Sequence, residues 1–295
     1  MSARAEGAVA WGRAEWPGVA LGDGAPVAVM GSLNVSPESF YSRSVYVEPD
    51  ALLEAALGMV EAGAALIDVG ARSTAPYLPT ALEEGEECER LERAVRVLAA
   101  TLDVPISADT SRAAPARAAL EAGARVINDV SGLRDPELGR LVAAREVGLI
   151  AMASPAAAGP LPDGPLATVT GCLGRSLEQA RTMGIAEQRV VLDPGIGFFR
   201  AGPMPWSAWD VEILAHLERL LVLGRPLAVA LSRKSFIGAL TDRPSPADRL
   251  AGSLAATALA VAHGASLIRT HDVRETRDAV RVASQIREAR TRAAR

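Results

Sequence analysis

The chain has 295 residues, 49% of them hydrophobic, and a formal net charge of −4. That length holds one large core or two smaller ones, and the slight acidity excludes a general nucleic-acid or polyanion binder. Cys88 and Cys172, the only two cysteines, have no metal or redox spacing, which points to reduced thiols in a cytoplasmic protein.

Residues 1–25 carry Glu6, Arg13, Glu15 and Asp23 and no long apolar core. They read as an N-terminal extension that is neither a secretory signal nor a membrane span and that ends in a short hairpin near Asp23 and Gly24. From residue 26 onward, short apolar runs ending on a polar residue alternate with helical patterns. The runs cover 26–34, 65–68, 105–109, 125–128, 147–152, 189–193, 227–232 and 266–269. Between the first two, Leu53, Ala56, Leu57 and Val60 line one helical face that Gly63 closes. Eight such units predict an α/β fold, a single-domain (β/α)8 TIM barrel over 26–295; a doubly wound open sheet is the alternative. No apolar run reaches membrane-spanning length, and the Arg-rich end reads as a solvated last helix. That helix is amphipathic through Ala279, Val282, Ala283 and Ile286, and Asp272 and Glu275 stand in capping-box spacing at its start.

A weak repeat strengthens the barrel. Gly63-Ala64, Gly123-Ala124 and Gly264-Ala265 each end a helix and enter a strand, and five residues after each Gly comes Asp68, Asn128 or Arg269. Equal geometry would put these three side chains at one level of the C-terminal mouth, where barrel sites are built. Asn34, Asp109, Asp193 and Lys234 join them there. Asp193 is the clearest case, because the run from Val190 to Leu192 delivers it into the turn Pro194-Gly195. Two long connections, 35–49 and 70–82, are rich in Ser, Pro, Tyr and Arg and suit lids or substrate contacts; a third, 154–165, is mostly Ala, Gly and Pro.

The mouth mixes the carboxylates and amide of Asp109, Asn128 and Asp193 with the expected cations Lys234, Arg269 and His271. Carboxylates on one edge and Asn and Lys on the other suit a heterocycle with guanidine-like N–H donors and a carbonyl. Arg269, His271 and Asn34 suit an anion such as a phosphate, with a metal beside it. Ser232-Arg233-Lys234-Ser235 precedes a helix, so Ser235 and the backbone N–H groups suit a second anion. No Ser or Cys has a His at usable spacing, and His216 and His263 read as helix-surface residues. The residues therefore indicate a group-transfer enzyme with small-molecule substrates rather than a nucleophile-and-base hydrolase.

The stretches Met30 to Phe40, Ser107-Ala108-Asp109-Thr110, Ile127-Asn128-Asp129-Val130-Ser131-Gly132, Leu192 to Phe198, Ser232 to Gly238 and Arg269-Thr270-His271-Asp272-Val273 resemble, in order, the motif set of the dihydropteroate synthases. The resemblance implies a pterin-binding barrel that joins 6-hydroxymethyl-dihydropterin diphosphate to p-aminobenzoate, releasing pyrophosphate, with Mg2+. It implies that Asp109, Asn128, Asp193 and Lys234 hold the pterin, that Asn34, Arg269 and His271 hold the diphosphate and its metal, and that Thr74, Pro76, Phe198 and Ser235 border the aminobenzoate. Lys234, Arg269 and His271 form the expected catalytic set, with Asn34 as the metal residue. A homodimer through the late helices is also implied.

Two loops depart from the family. Its usual Gly-Gly-Glu-Ser-Thr-Arg-Pro-Gly is here Gly70-Ala71-Arg72-Ser73-Thr74-Ala75-Pro76-Tyr77, so its Glu becomes Arg72 and its Arg becomes Ala75. The segment Glu38-Ser39-Phe40-Tyr41 is similar to divergent members linked to methanopterin-type cofactors, whose arylamine is a ribofuranosyl-aminobenzene phosphate. Arg72 is then the expected contact for that phosphate. Competing expectations are a pterin-dependent methyltransferase acting with a corrinoid protein, and a catalytically silent pterin-binding paralogue.

Overall fold

Eight parallel strands close into a barrel in the computed structural model, and an antiparallel hairpin precedes them. The structure describes residues 12–36, 45, 46, 48–72, 82–158 and 164–293. The hairpin is β1 (Arg13–Trp16) and β2 (Val19–Gly22). The barrel strands are β3 (Ala28–Asn34), β4 (Leu66–Gly70), β5 (Ile106–Asp109), β6 (Val126–Asp129), β7 (Gly148–Met152), β8 (Val190–Asp193), β9 (Leu227–Ala230) and β10 (Ala265–Thr270), with β10 closing on β3. Around them run α1 (Pro49–Glu61), α2 (Glu84–Ala99), α3 (Ala113–Ala122), α4 (Pro136–Arg145), α5 (Pro155–Ala158), α6 (Gly164–Thr182), α7 (Trp206–Ala215), α8 (Ser235–Thr241), α9 (Leu250–Ala262) and α10 (Val273–Ala293). The open-sheet alternative is thereby excluded. No helix among the described residues is long and apolar enough to cross a membrane.

Period-two alternation positions the site. Val29, Ile67, Ile127, Leu192 and Ile268 pack outward in the large core under the helices. Their neighbours Met30, Leu66, Val126, Val191 and Leu267 belong to a second cluster inside the barrel. Two residues further along their strands come Asp68, Asn128, Asp193 and Arg269, so the polar mouth lies directly on an apolar floor. The Gly-Ala repeat performs the spacing. Gly63, Gly123 and Gly264 have φ of +101°, +122° and +100°, a region that favours glycine, and each ends its helix at the same distance from the mouth.

The N-terminal hairpin plugs the opposite end. Ala14, Trp16, Val19 and Leu21 join the interior cluster. The turn lies at Pro17 and Gly18, not at Asp23 and Gly24 as expected, because Pro fixes its first φ and Gly18 takes +81°. Asp23 and Gly24 instead form the link into β3, where the Asp23 N–H donates to Gly12 O at 2.9 Å. Trp16 Nε1 donates to Arg189 O at 2.8 Å, and Arg189 Nη1 returns a bond to Glu15 O at 3.0 Å. A Cβ at Gly148 would stand 2.8 Å from the Trp16 ring, so the glycine makes room for the indole.

Trp16→Ala is expected to destabilise the protein by about 3–5 kcal/mol, the usual result of emptying a buried aromatic site. A urea midpoint indistinguishable from wild type would show that the hairpin is dispensable to the barrel.

Candidate active site

Asp68 and Arg269 sit at the centre of the mouth. Asp68 is fully buried. It accepts Ser107 Oγ at 2.6 Å, Asn128 Nδ2 at 3.3 Å and Arg269 Nε at 2.6 Å. Arg269 Nη2 donates to Asp109 Oδ2 at 3.0 Å. The three positions of the repeat thus meet in space, and one guanidinium bridges two carboxylates from neighbouring strands. Burial pushes the Asp109 carboxyl up against the pull of Arg269. For Arg269 itself, burial disfavours the charge, but Asp68 and Asp109 outweigh it and raise its pKa. Asp109 Oδ1 is buried with no hydrogen-bond partner among the described residues, so one oxygen of the site is held ready for a donor.

Across the mouth, Asp193 Oδ1 accepts the Gly195 N–H at 2.7 Å. Burial raises its pKa, while that N–H, Lys234 and Arg269 oppose the rise. Lys234 is the single lysine in a chain with 30 arginines. Its Nζ lies 4.8 Å from the Phe198 ring centroid, a cation–π contact, and burial lowers its pKa to about 8. Arg233, just before it, has φ +56°, a strained value for a side chain of that size. It is held there by Asp272 at 2.9 and 2.7 Å and by Pro246 O and Ala247 O at 2.9 and 2.7 Å. Asp272, expected as a helix cap, instead clamps the turn that presents Lys234. Ser235 opens α8 and accepts a bond from Arg200.

His271 departs from expectation. Its Nδ1 lies 2.9 Å from Ser232 Oγ, and burial, together with Arg269, Arg233 and Lys234, lowers its pKa to about 3. Without a ligand it is therefore a neutral imidazole rather than a cation. Arg72 Nε lies 3.5 Å from Glu87 Oε2, which also pairs with Arg112 at 3.2 Å, while Glu87 Oε1 accepts Thr110 Oγ1 at 2.6 Å. Asn34 ends β3, where a Cβ at Gly70 would lie 3.4 Å from its Oδ1. Among the described residues, no group of three or more His, Cys, Asp or Glu could hold a metal ion. Thr74, Pro76 and the departures at Ala75, Tyr77 and 38–41 lie outside the described residues.

The structure thus brings Asp109, Asn128, Asp193, Phe198, Lys234, Ser235, Arg269 and His271 to one mouth. Asp68, Glu87, Arg200 and Asp210 were not among the expected site residues. Asp68 was signalled by its place in the repeat; Glu87 and Asp210 are acids on buried helix faces, which no local pattern marks.

Residues 30–271 match the family model for pterin binding enzymes. The chain is 38% identical to the dihydropteroate synthase of Mycobacterium leprae, over 88% of this chain and 93% of that one. It superposes with a TM-score of 0.83 and 38% identity on the Xanthomonas albilineans dihydropteroate synthase with 4-aminobenzoic acid, covering 93% of this chain and 97% of that one. The Coxiella burnetii dihydropteroate synthase in complex with pteroic acid gives a TM-score of 0.80 at 33% identity, over 90% and 94%.

Proposed function

The chain belongs to the pterin-binding enzymes and, within them, to the dihydropteroate synthases, and from that premise we propose how its mouth joins 6-hydroxymethyl-7,8-dihydropterin diphosphate to p-aminobenzoate in folate biosynthesis. The observation that carries the reading is the set of four polar ends, the buried Asp109, Asn128 and Asp193 and the half-buried Lys234, around one opening. Asp109 Oδ1 and the Asp193 carboxylate accept N–H groups of the guanidine-like edge of the pterin. The Asn128 amide and the Lys234 ammonium meet its remaining nitrogen and carbonyl groups, and the Phe198 ring closes over the lysine. Arg269, already between two carboxylates, and the neutral His271 face the diphosphate end.

In the reaction the bond from the pterin methylene to the diphosphate oxygen breaks with its electron pair on oxygen. The arylamine nitrogen then bonds to that carbon and loses a proton. Little covalent work falls to the protein, so positioning and charge supply most of the rate. Asn34 is the residue that would hold magnesium, through its side-chain amide oxygen, and the chemistry the ion would supply is charge neutralisation on the leaving group.

Supporting the alternative second substrate, a ribofuranosyl-aminobenzene phosphate, are the loop departures and the cation at Arg72. Its pairing with the buried Glu87 weighs against a long outward reach. A cytoplasmic location belongs to the same reading, which the unpaired Cys88 and Cys172 suit. So does a homodimer. On α10, Val280 and Ala283 pack inward, while Val282 and Ile286 are 62% and 56% exposed; Leu240 on α8 and Leu259 on α9 are 59% exposed each. Four large apolar side chains on three late helices favour a partner copy there.

Asp109→Asn and Asp193→Asn are each expected to weaken binding of the pterin diphosphate by about 1.5–3 kcal/mol, since an amide turns a donor toward a donor. Calorimetry showing either variant within about threefold of wild type, under 1 kcal/mol, would remove the pterin assignment. For the dimer, light scattering at micromolar concentration should return twice the chain's 30.7 kDa, and a monomer mass would reject it.

A further inference from the structure

Gly197 is gripped on both sides of its peptide. Its N–H donates to Asp210 Oδ1 at 2.8 Å, and its carbonyl accepts Arg200 Nε at 3.0 Å. Both partners are tied to α7: Asp210 is on it, and Arg200 lies 4.0 Å over the ring of Trp206, its first residue. With φ at +87°, Gly197 sets the direction in which Phe198 leaves the turn. Lys234 lies against the same glycine, because a Cβ there would stand 3.2 Å from its Cδ and 3.4 Å from its Nζ.

Asp210 has no other visible task. It is 1% exposed, and its second oxygen, Oδ2, is buried with no hydrogen-bond partner among the described residues. A buried carboxylate with one N–H bond is a poor structural choice where a neutral amide would serve the same N–H. What the amide lacks is the charge. The charged groups that face Lys234 are Asp193 from β8, Arg269 from β10, Asp210 from α7 and Arg200 from the turn before it. Two guanidinium groups thus oppose its charge, and two acids support it. Of the acids, Asp193 is the one that a ligand engages in the reading above, whereas Asp210 is buried and bonded to backbone.

We propose that Asp210 is a positioning residue of this site: it fixes the Gly195–Phe198 turn through the Gly197 N–H and supplies the counter-charge, independent of substrate, against which Lys234 holds its proton. Asp210 titrates at about 6, raised by burial, and Lys234 at about 8, lowered by burial, so both are charged between these values. Removing the Asp210 charge lowers the Lys234 pKa further, and the lysine loses its proton at a lower pH. Below about 6 nothing changes for Lys234, because it is charged with or without Asp210.

Lys234 being the single lysine of the chain makes it directly observable. Protein labelled with 13C-lysine gives one side-chain signal, whose titration is followed without ligand in wild type, Asp210→Asn and Asp210→Glu. Asn keeps an acceptor for Gly197 and removes the charge; Glu keeps the charge and changes the reach. The expected midpoints are near 8 for wild type and for Asp210→Glu, and roughly one pH unit lower for Asp210→Asn, the size of effect one nearby opposite charge has. Equal midpoints in wild type and Asp210→Asn would overturn the proposal. So would a shift in Asp210→Glu as large as in Asp210→Asn, if the Asn protein folds; if it does not, a Glu midpoint lowered by a full unit is enough. As the functional readout, calorimetry with the pterin diphosphate should show the alkaline loss of binding moving with the lysine midpoint, with wild type and Asp210→Asn within about twofold at pH 6. The proposal rests on the pterin reading for this readout alone. A wild type that binds no pterin at any pH would count against that reading and leave the lysine titration to decide the role of Asp210.

Discussion

Arg269 bridging Asp68 and Asp109 is the contact on which the rest of the mouth depends. A closed parallel barrel brings its strand ends together out of water, and carboxylates placed there are tolerable only if cations and N–H donors meet them. One guanidinium, on the strand that closes the ring, satisfies two acids at once. Asp68 passes the order on, since it also holds Ser107 and Asn128. Among the described residues, one buried oxygen of Asp109 is left without a partner, so the cavity is charged and offers an acceptor to a donor from a ligand.

The second half of the mouth is built differently. Lys234 comes from a turn and Asp193 ends β8 where a turn begins, and turns need holding. Arg233 is kept in a strained conformation by both oxygens of Asp272. The Gly195–Phe198 turn is gripped by Asp210 and Arg200. Both devices lie behind the groups that face a ligand, so the electrostatics of the site is fixed before anything binds, which is how a protein lowers a barrier by charge.

Much of this was legible in the residues. The eight strands read from apolar runs agree with the structure to within about two residues, because a strand buried on both faces has no other pattern. The level of Asp68, Asn128 and Arg269 followed from the helix-ending glycines. What could not be read depends on neighbours distant in sequence. The charge of His271 is set by Arg233, Lys234 and Arg269 together with burial. Asp210 looks like any acid on a helix until its partner 13 residues away is known. The hairpin turn was misplaced because Asp-Gly and Pro-Gly both signal turns, and only packing of Trp16 against Gly148 selects between them.

Pyrophosphate release by the purified protein, given 6-hydroxymethyl-7,8-dihydropterin diphosphate and either p-aminobenzoate or a ribofuranosyl-aminobenzene phosphate, tests the central claim most directly. Release should depend on both substrates and proceed with p-aminobenzoate at an ordinary enzymatic rate, on the order of 10 per second. Pterin binding without arylamine-dependent release would identify a silent paralogue, and release with the ribose phosphate alone would contradict p-aminobenzoate as the second substrate.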